Sequence, residues 1–193
     1  YASRLDTEKD PLFMAFVAEE FLHFHPSWRW VVTTSASRLR SNDAGIIERL
    51  VELSSHRPRF ELRVGQTKQQ YYRTLQDAKI LFNSSRQDYV SWTLLEATTF
   101  GCDIVFPDFR SFPECIPADR RYLPGNPRSA LDRLEECILY PRTHYDIPEI
   151  ADIGRHLMGW IMATSHTEEL NIWKDTDYAQ LLLAYGQRSR WYL

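Results

Sequence analysis

The segment bounded by two acidic residues, Asp88 and Glu96, is the most informative about the chemistry of this chain. Seven residues separate them, and Glu96 opens a helical stretch (LLEATTFG) that precedes an apolar, strand-like run, DIVFP. Upstream, Arg4 and Lys9 lie in the segment SRLDTEKDP. A guanidinium offers phosphate oxygens a planar pair of donors, and an ammonium adds a movable positive charge. Because a carboxylate accepts hydroxyls, these residues together predict a nucleotide sugar as the ligand.

The two upstream cations also have a purely structural interpretation. In a solvated loop Arg4 would pair with Asp6 or Glu8, and Lys9 with Asp10, and such surface pairs are common and weak. In the functional interpretation, two cations in one loop neutralise a diphosphate that leaves with added negative charge.

The two acids have alternatives as well. The sequence TLLE at 93–96 fits a capping box, in which Glu96 would only bond a backbone amide at the helix start. In the functional interpretation Glu96 accepts ribose hydroxyls, while amides near Trp92 and Thr93 meet phosphate with the help of the helix dipole. Asp88 would then face the sugar, and otherwise it would be a turn residue.

Strand-like and helical segments alternate through most of the chain. The pattern predicts a strand end at 1–3, strands at 28–34, 60–64, 79–83 and 103–107, and helices at 11–24, 44–55, 67–78, 94–100 and 127–139. Asp10 is the expected cap of the helix at 11–24, and Gly101 is expected to end the helix at 94–100. This alternation requires right-handed crossovers, and it predicts an α/β fold with a doubly wound, mostly parallel sheet. Ligands of such sheets bind beyond the carboxyl ends of the strands, where Arg4, Lys9, Gly65, Asp88 and Asp108 fall.

Two regions are expected. Residues 1–147 form the sheet domain, and the helical pattern at 148–193, with its tryptophans, predicts a C-terminal helical extension that packs on this domain or on an N-terminal one. Because the chain starts without Met, in residues typical of a strand end, we expect it to be a fragment of a longer protein.

Bulk properties exclude several other classes. Hydrophobic residues at 44% and charged residues at 25% of 193 argue against disorder. A formal net charge of -3 predicts no general attraction to nucleic acid or to an anionic membrane. No apolar run reaches the ~20 residues of a membrane helix. The three cysteines lack disulfide or metal spacing, which predicts a reduced, cytoplasmic setting.

The motifs, taken in order, resemble the C-terminal nucleotide-sugar-binding domain of retaining GT-B glycosyltransferases. This is the glycosyl transferases group 1 family, which includes sucrose synthase and many bacterial mannosyl- and glucosyltransferases. The resemblance covers about residues 3–138 and rests on R-L-D-x-E-K-D-P, a strand followed by Gly, S-x-x-D-x7-E-A, G-x-x-x-V-x-P and F-P-E. It implies a Rossmann-like sheet that forms one half of a GT-B fold.

The resemblance also implies residue roles. Arg4 and Lys9 would bind the diphosphate, Glu96 the ribose, and Asp88 the donor sugar, which makes Arg4, Lys9 and Asp88 the catalytic set. The remaining contacts would come from backbone, around Val64 and Gly65 for the base and at Ser91, Trp92 and Thr93 for sugar and phosphate. The site would need no metal or other cofactor, with a nucleoside diphosphate sugar as the donor substrate.

Two positions depart from the family pattern, since Asp88 stands where the family has Glu and Ser91 where it usually has Gly. The expected function is hexose transfer with retention, in partnership with an N-terminal GT-B domain of the same protein. The alternative is a non-catalytic nucleotide-sugar-like or interaction domain with a decayed site, and a third interpretation is an unrelated doubly wound domain. The acceptor stays open, nucleic acid included, as does the choice among UDP, GDP and ADP.

Overall fold

A computed structural model describes residues 1–87 and 91–145, and the predicted helical extension at 148–193 lies outside this part of the chain. The helices are α1 Pro11–Phe24, α2 Ala44–His56, α3 Lys68–Asp77, α4 Trp92–Thr99, α5 Phe112–Cys115 and α6 Pro127–Leu139. The strands are β1 Trp30–Thr33, β2 Phe60–Arg63, β3 Ile80–Phe82, β4 Asp103–Pro107 and β5 Arg121–Tyr122. No helix in the described ranges is long and apolar enough to cross a membrane.

Every strand pairing among the described residues is parallel, which confirms the predicted parallel arrangement, with the strands in two hydrogen-bonded groups of two and three. Strand β1 pairs with β2, with Trp30 opposite Phe60, and β4 lies between β3 and β5. On the other side of β1, Ala2 pairs in parallel with Thr33, as the predicted strand end requires. The short elements α5 and β5 were not predicted, because segments of four and two residues are too short to show a period.

Helices cover both faces of the strands, as a doubly wound fold requires. Phe82 of β3 and Val105 of β4 point into the core cluster that α1, α2 and α6 complete. Their neighbours Leu81, Ile104 and Phe106 are buried as well, although successive side chains of a strand point to opposite faces. Helix α4 contacts β4, and Tyr72 of α3 lies against Phe100 just after α4. The α/β fold predicted from the sequence is therefore confirmed.

One ion pair is buried completely at the amino end of β4. Asp103 and Arg120 are each 2% exposed, and two guanidinium nitrogens contact the two carboxylate oxygens at 2.8 and 3.2 Å. Asp103 also accepts the backbone amides of Ile104 and Arg142, both at 2.8 Å, and the hydroxyl of Tyr145. This network fastens the segment after α6 to the sheet, and it lies at the edge opposite the predicted site.

The three thiols should differ in reactivity. Cys102 and Cys137 are buried, and burial raises the pKa of Cys102 to about 11 and also raises that of Cys137. Cys115 is partly exposed. Since the thiolate is the nucleophile, we expect iodoacetamide at pH 8 to modify Cys115 first in the native protein. Mass spectrometry after brief treatment would show this, with all three thiols reacting in urea as the control. Equal native labelling of Cys102 and Cys115 would contradict the described packing.

Candidate functional site

Two loops at the carboxyl edge of the strands are joined around Lys9. The Lys9 ammonium donates to the carbonyl of Gln87, 78 residues away, at 2.9 Å. The Lys9 carbonyl accepts from the Ser84 hydroxyl at 2.7 Å, and the Arg86 amide donates to the Glu8 carbonyl at 2.8 Å. The loop after the first strand segment and the loop after β3 therefore form one continuous wall.

The two predicted cations differ in their surroundings. Lys9 is only 9% exposed, whereas lysine is almost never buried without a partner, so the solvated-loop interpretation does not describe it. The Arg4 side chain is 68% exposed and pairs with Asp6 at 2.8 Å and Glu8 at 2.7 Å. Those are the partners that the structural interpretation names for Arg4. Lys9 is thus enclosed between the two loops, whereas Arg4 lies on the surface of the same loop.

An ion pair between Asp10 and Arg86 also joins the two loops. Asp10 has a left-handed backbone, with φ of 46°, and its side chain caps α1 by accepting the Phe13 amide. Its other carboxylate oxygen accepts from Arg86 Nε at 2.6 Å. The sequence predicted the cap but not the pair with Arg86. Nothing local signals a contact between residues that are 76 positions apart.

Helix α4 starts earlier than predicted, and this changes the interpretation of Glu96. Ser91 is the cap, its hydroxyl accepting the Leu94 amide at 3.3 Å, so the helix begins at Trp92. Glu96 therefore lies in the second turn, and the capping box at 93–96 is wrong. The backbone amides of Trp92 and Thr93, at the start of the helix, have no acceptor within it. Amides at a helix start are well placed to bind a phosphate group.

Glu96 has a partner on another helix instead. Glu96 is 6% exposed, and its carboxylate forms an ion pair with the ammonium of Lys68, 28 residues away on α3. A buried carboxylate costs free energy unless it is paired. The pair with Lys68 supplies that compensation, and sequence inspection missed Lys68 because its spacing from Glu96 matches no motif.

The turn after β2 contains the two predicted base-binding positions. Gly65 has φ of +62°, a conformation that side chains rarely adopt, and its amide donates to the carbonyl of Ala36 at 2.7 Å. Val64 beside it is 42% exposed. The glycine thus makes the turn, while Val64 presents a free apolar side chain next to it. Both lie at the same edge of the sheet as Lys9.

Asp88 lies outside the described residues. The structure describes the residues on either side, with Gln87 in contact with Lys9 and Ser91 at the start of α4. The role predicted for Asp88 therefore stays a prediction. Its chain neighbours belong to the wall formed by the two loops and to the helix start.

A cavity of about 280 Å³ opens beside this wall, at the carboxyl ends of β3, β4 and β5. Asp10, Ser84, Arg86, Phe109 and Tyr122 are among its lining residues. A second cavity of about 320 Å³ lies between β1 and β3, and no predicted site residue lines it. None of the predicted site residues in the described part of the chain lines the smaller cavity either, but its lining includes Asp10 and Arg86, the chain neighbours of Lys9 and Gln87 in the two joined loops.

Across residues 1–87 and 91–145, no three His, Cys, Asp or Glu side chains are grouped so that they could hold a metal ion. A ring nitrogen of His25 contacts a carboxylate oxygen of Glu135 at 2.5 Å. The charged groups at the carboxyl edge include the pairs Arg86 with Asp10 and Lys68 with Glu96, together with Lys9.

Solved structures with a similar fold include GT-B glycosyltransferases. The pneumococcal O-GlcNAc transferase GtfA, in complex with UDP and GlcNAc, gives a TM-score of 0.62 at 14% identity, over 86% of this chain and 35% of that one. Sucrose-phosphate synthase from Thermosynechococcus elongatus gives 0.60 at 16% identity, over 84% and 44%. A UDP-forming α,α-trehalose-phosphate synthase from Burkholderia xenovorans gives 0.57 at 16% identity, over 93% and 43%.

These similarities establish the fold. The chain spans less than half the length of each of these three structures. No protein-family profile matches it, and no curated protein sequence does. The arrangement of parallel strands and covering helices is that of one half of a GT-B fold.

Proposed function

We propose that this chain is the nucleotide-sugar-binding half of a retaining glycosyltransferase, which transfers a hexose from a nucleoside diphosphate sugar. The observation that carries the proposal is Lys9, a buried ammonium at the carboxyl edge of the sheet, held by the loop that leads to Asp88. The fold shared with GT-B enzymes supports the same function, as does the complex of one of them with UDP and GlcNAc.

Each residue has a role in this proposal. Lys9, together with Arg4, stabilises the diphosphate, and the first amides of α4 add donors for phosphate and sugar oxygens. Glu96 accepts ribose hydroxyls, the turn at Val64 and Gly65 holds the base, and Asp88 positions the sugar. The bond between the anomeric carbon and the diphosphate oxygen breaks, and its electron pair leaves with the diphosphate. The acceptor hydroxyl attacks from the same face, and its proton passes to the leaving phosphate.

This chemistry depends on electrostatic stabilisation of the leaving group. Groups that are preorganised where charge develops stabilise a transition state without reorganising. Lys9 meets this condition, because its ammonium is held by the Gln87 carbonyl before any ligand arrives. The acceptor site would come from an N-terminal GT-B domain of the same protein.

A non-catalytic domain with a decayed site is the second candidate, and one observation favours it. Arg4 already pairs with Asp6 and Glu8, which neutralise it in the absence of ligand. In such a domain the nucleotide could still bind, but the leaving diphosphate would lack one of its two cations.

Two measurements test the proposal. Calorimetry of this chain with UDP, GDP and ADP should detect binding of at least one of them, and no binding to any would refute a nucleotide-sugar site. The protein with its N-terminal half should then transfer or hydrolyse the donor sugar and retain the anomeric configuration. Binding without transfer or hydrolysis would support the decayed site, and an inverted product would refute retention.

A further inference from the structure

Lys68 occupies a position that the local sequence does not favour. It is the first residue of α3, where the positive end of the helix dipole repels a cation. Its ammonium nevertheless lies there, in an ion pair with Glu96 of α4. The Lys68 side chain is 46% exposed, whereas that of Glu96 is 7% exposed. The lysine is therefore the more exposed partner of the pair, and the carboxylate the more buried one.

Two aromatic rings hold the ammonium on the carboxylate. Lys68 Nζ lies 5.1 Å from the ring centre of Tyr71 and 4.9 Å from that of Tyr72, both distances at which a cation is attracted to a ring face. Burial, and next the charge of Glu96, raise the pKa of Tyr71, so this phenol stays protonated at neutral pH. The lysine is thus held from three sides.

The position of Lys68 in the fold connects two parts of the site. Helix α3 starts directly after the turn at Val64 and Gly65, where the base is proposed to lie. Glu96, its ion-pair partner, is the residue proposed to accept the ribose. Lys68 therefore stands between the two nucleoside contacts, at the carboxyl edge of the sheet where ligands of this fold bind.

We propose that Lys68 is a positioning residue for ribose recognition, which holds the Glu96 carboxylate directed at the ribose hydroxyls. This inference rests on the proposed function, because it takes Glu96 as the ribose contact. The physical reason is that a buried carboxylate without its cation is strongly destabilised. With Lys68 removed, the Glu96 side chain would turn toward water, and this change would weaken its hold on two hydroxyls.

The test compares each ribonucleotide with an analogue that lacks both ribose hydroxyls, such as UDP with 2′,3′-dideoxyuridine diphosphate. Calorimetry on the whole chain would also use the matching GDP and ADP pairs. Hydrogen bonds to a charged acceptor are worth ~10-fold or more in affinity, so the wild type should prefer the ribonucleotide by at least that factor. Lys68→Met and Glu96→Gln should each reduce this preference to less than ~3-fold, which is smaller than the contribution of one such hydrogen bond.

Matched variants separate positioning from simple stability. Lys68→Arg keeps the positive charge and should keep the preference, and Lys68→Gln replaces Lys68→Met if the latter does not fold. Lys79→Met removes an exposed charge just before β3, at the opposite edge of the sheet, and should leave the preference unchanged.

The outcomes distinguish two failures. If Lys68→Met melts at a lower temperature but keeps the wild-type preference, Lys68 is only structural, and the inference fails while the proposed function stands. If Glu96→Gln keeps the preference, Glu96 does not hold the ribose, and both assignments fall. If the wild type binds no nucleotide, the proposed function fails first and takes this inference with it.

Discussion

Arg120→Met is expected to lower the free energy of unfolding by about 3–5 kcal/mol, the range for breaking a buried pair by removing one partner. The substitution keeps the length of the side chain but leaves the Asp103 carboxylate, 2% exposed, without its cation. Urea unfolding followed by tryptophan fluorescence would measure the change.

The surroundings of Arg120 explain the size of this effect. Burial opposes its charge, but the hydrogen bonds and charge of Asp103 outweigh burial and raise the pKa of the guanidinium. A guanidinium nitrogen of Arg120 also donates to the backbone carbonyl of Tyr140 at 2.6 Å. Removing the guanidinium therefore breaks contacts with both β4 and the segment after α6.

The matched control is Arg128→Met on α6. Arg128 pairs with Asp132 at 3.1 Å, but the two side chains are 86% and 50% exposed. Exposed pairs of this kind contribute ~0–1 kcal/mol, so the control should change the unfolding free energy little. Equal effects of Arg120→Met and Arg128→Met would show that the Asp103 network is not a major source of stability.

Lys9→Gln is expected to weaken the binding of nucleoside diphosphate ~10-fold or more, since a hydrogen bond to a charged group contributes roughly 1.5–3 kcal/mol. Glutamine can still donate to the Gln87 carbonyl, so the wall between the two loops should remain while the positive charge is lost. Isothermal titration calorimetry with the nucleotide that binds best would measure the change, and circular dichroism would check the fold.

Arg4→Ala and Lys79→Gln complete this experiment. Arg4→Ala should also weaken binding, provided that Arg4 leaves Asp6 and Glu8 for the phosphate. Lys79→Gln removes an exposed charge from the opposite edge and should have no effect. Unchanged affinity in both the Lys9 and Arg4 variants would remove the loop after the first strand from the binding site. A loss confined to Lys9 would make Arg4 a surface cation.

The sequence by itself determined the order of the elements and the edge at which the candidate site lies. Apolar periods and punctuating residues act over a few positions, so they predicted the helix start at Asp10 and Pro11 and the end of α4 at Gly101. The alternation of strand and helix then required parallel strands, and it put Arg4, Lys9 and Gly65 at one edge.

Only the tertiary structure decided which of these residues are enclosed and which partners they have. Ser91 and Thr93 are both acceptable helix caps, and the local pattern alone favoured the wrong one. The burial of Lys9 against Gln87 and the pair of Glu96 with Lys68 join residues 78 and 28 positions apart. Such contacts depend on how loops and helices pack against each other. Their free energy comes from burial and pairing between distant segments, to which short-range sequence periods do not respond.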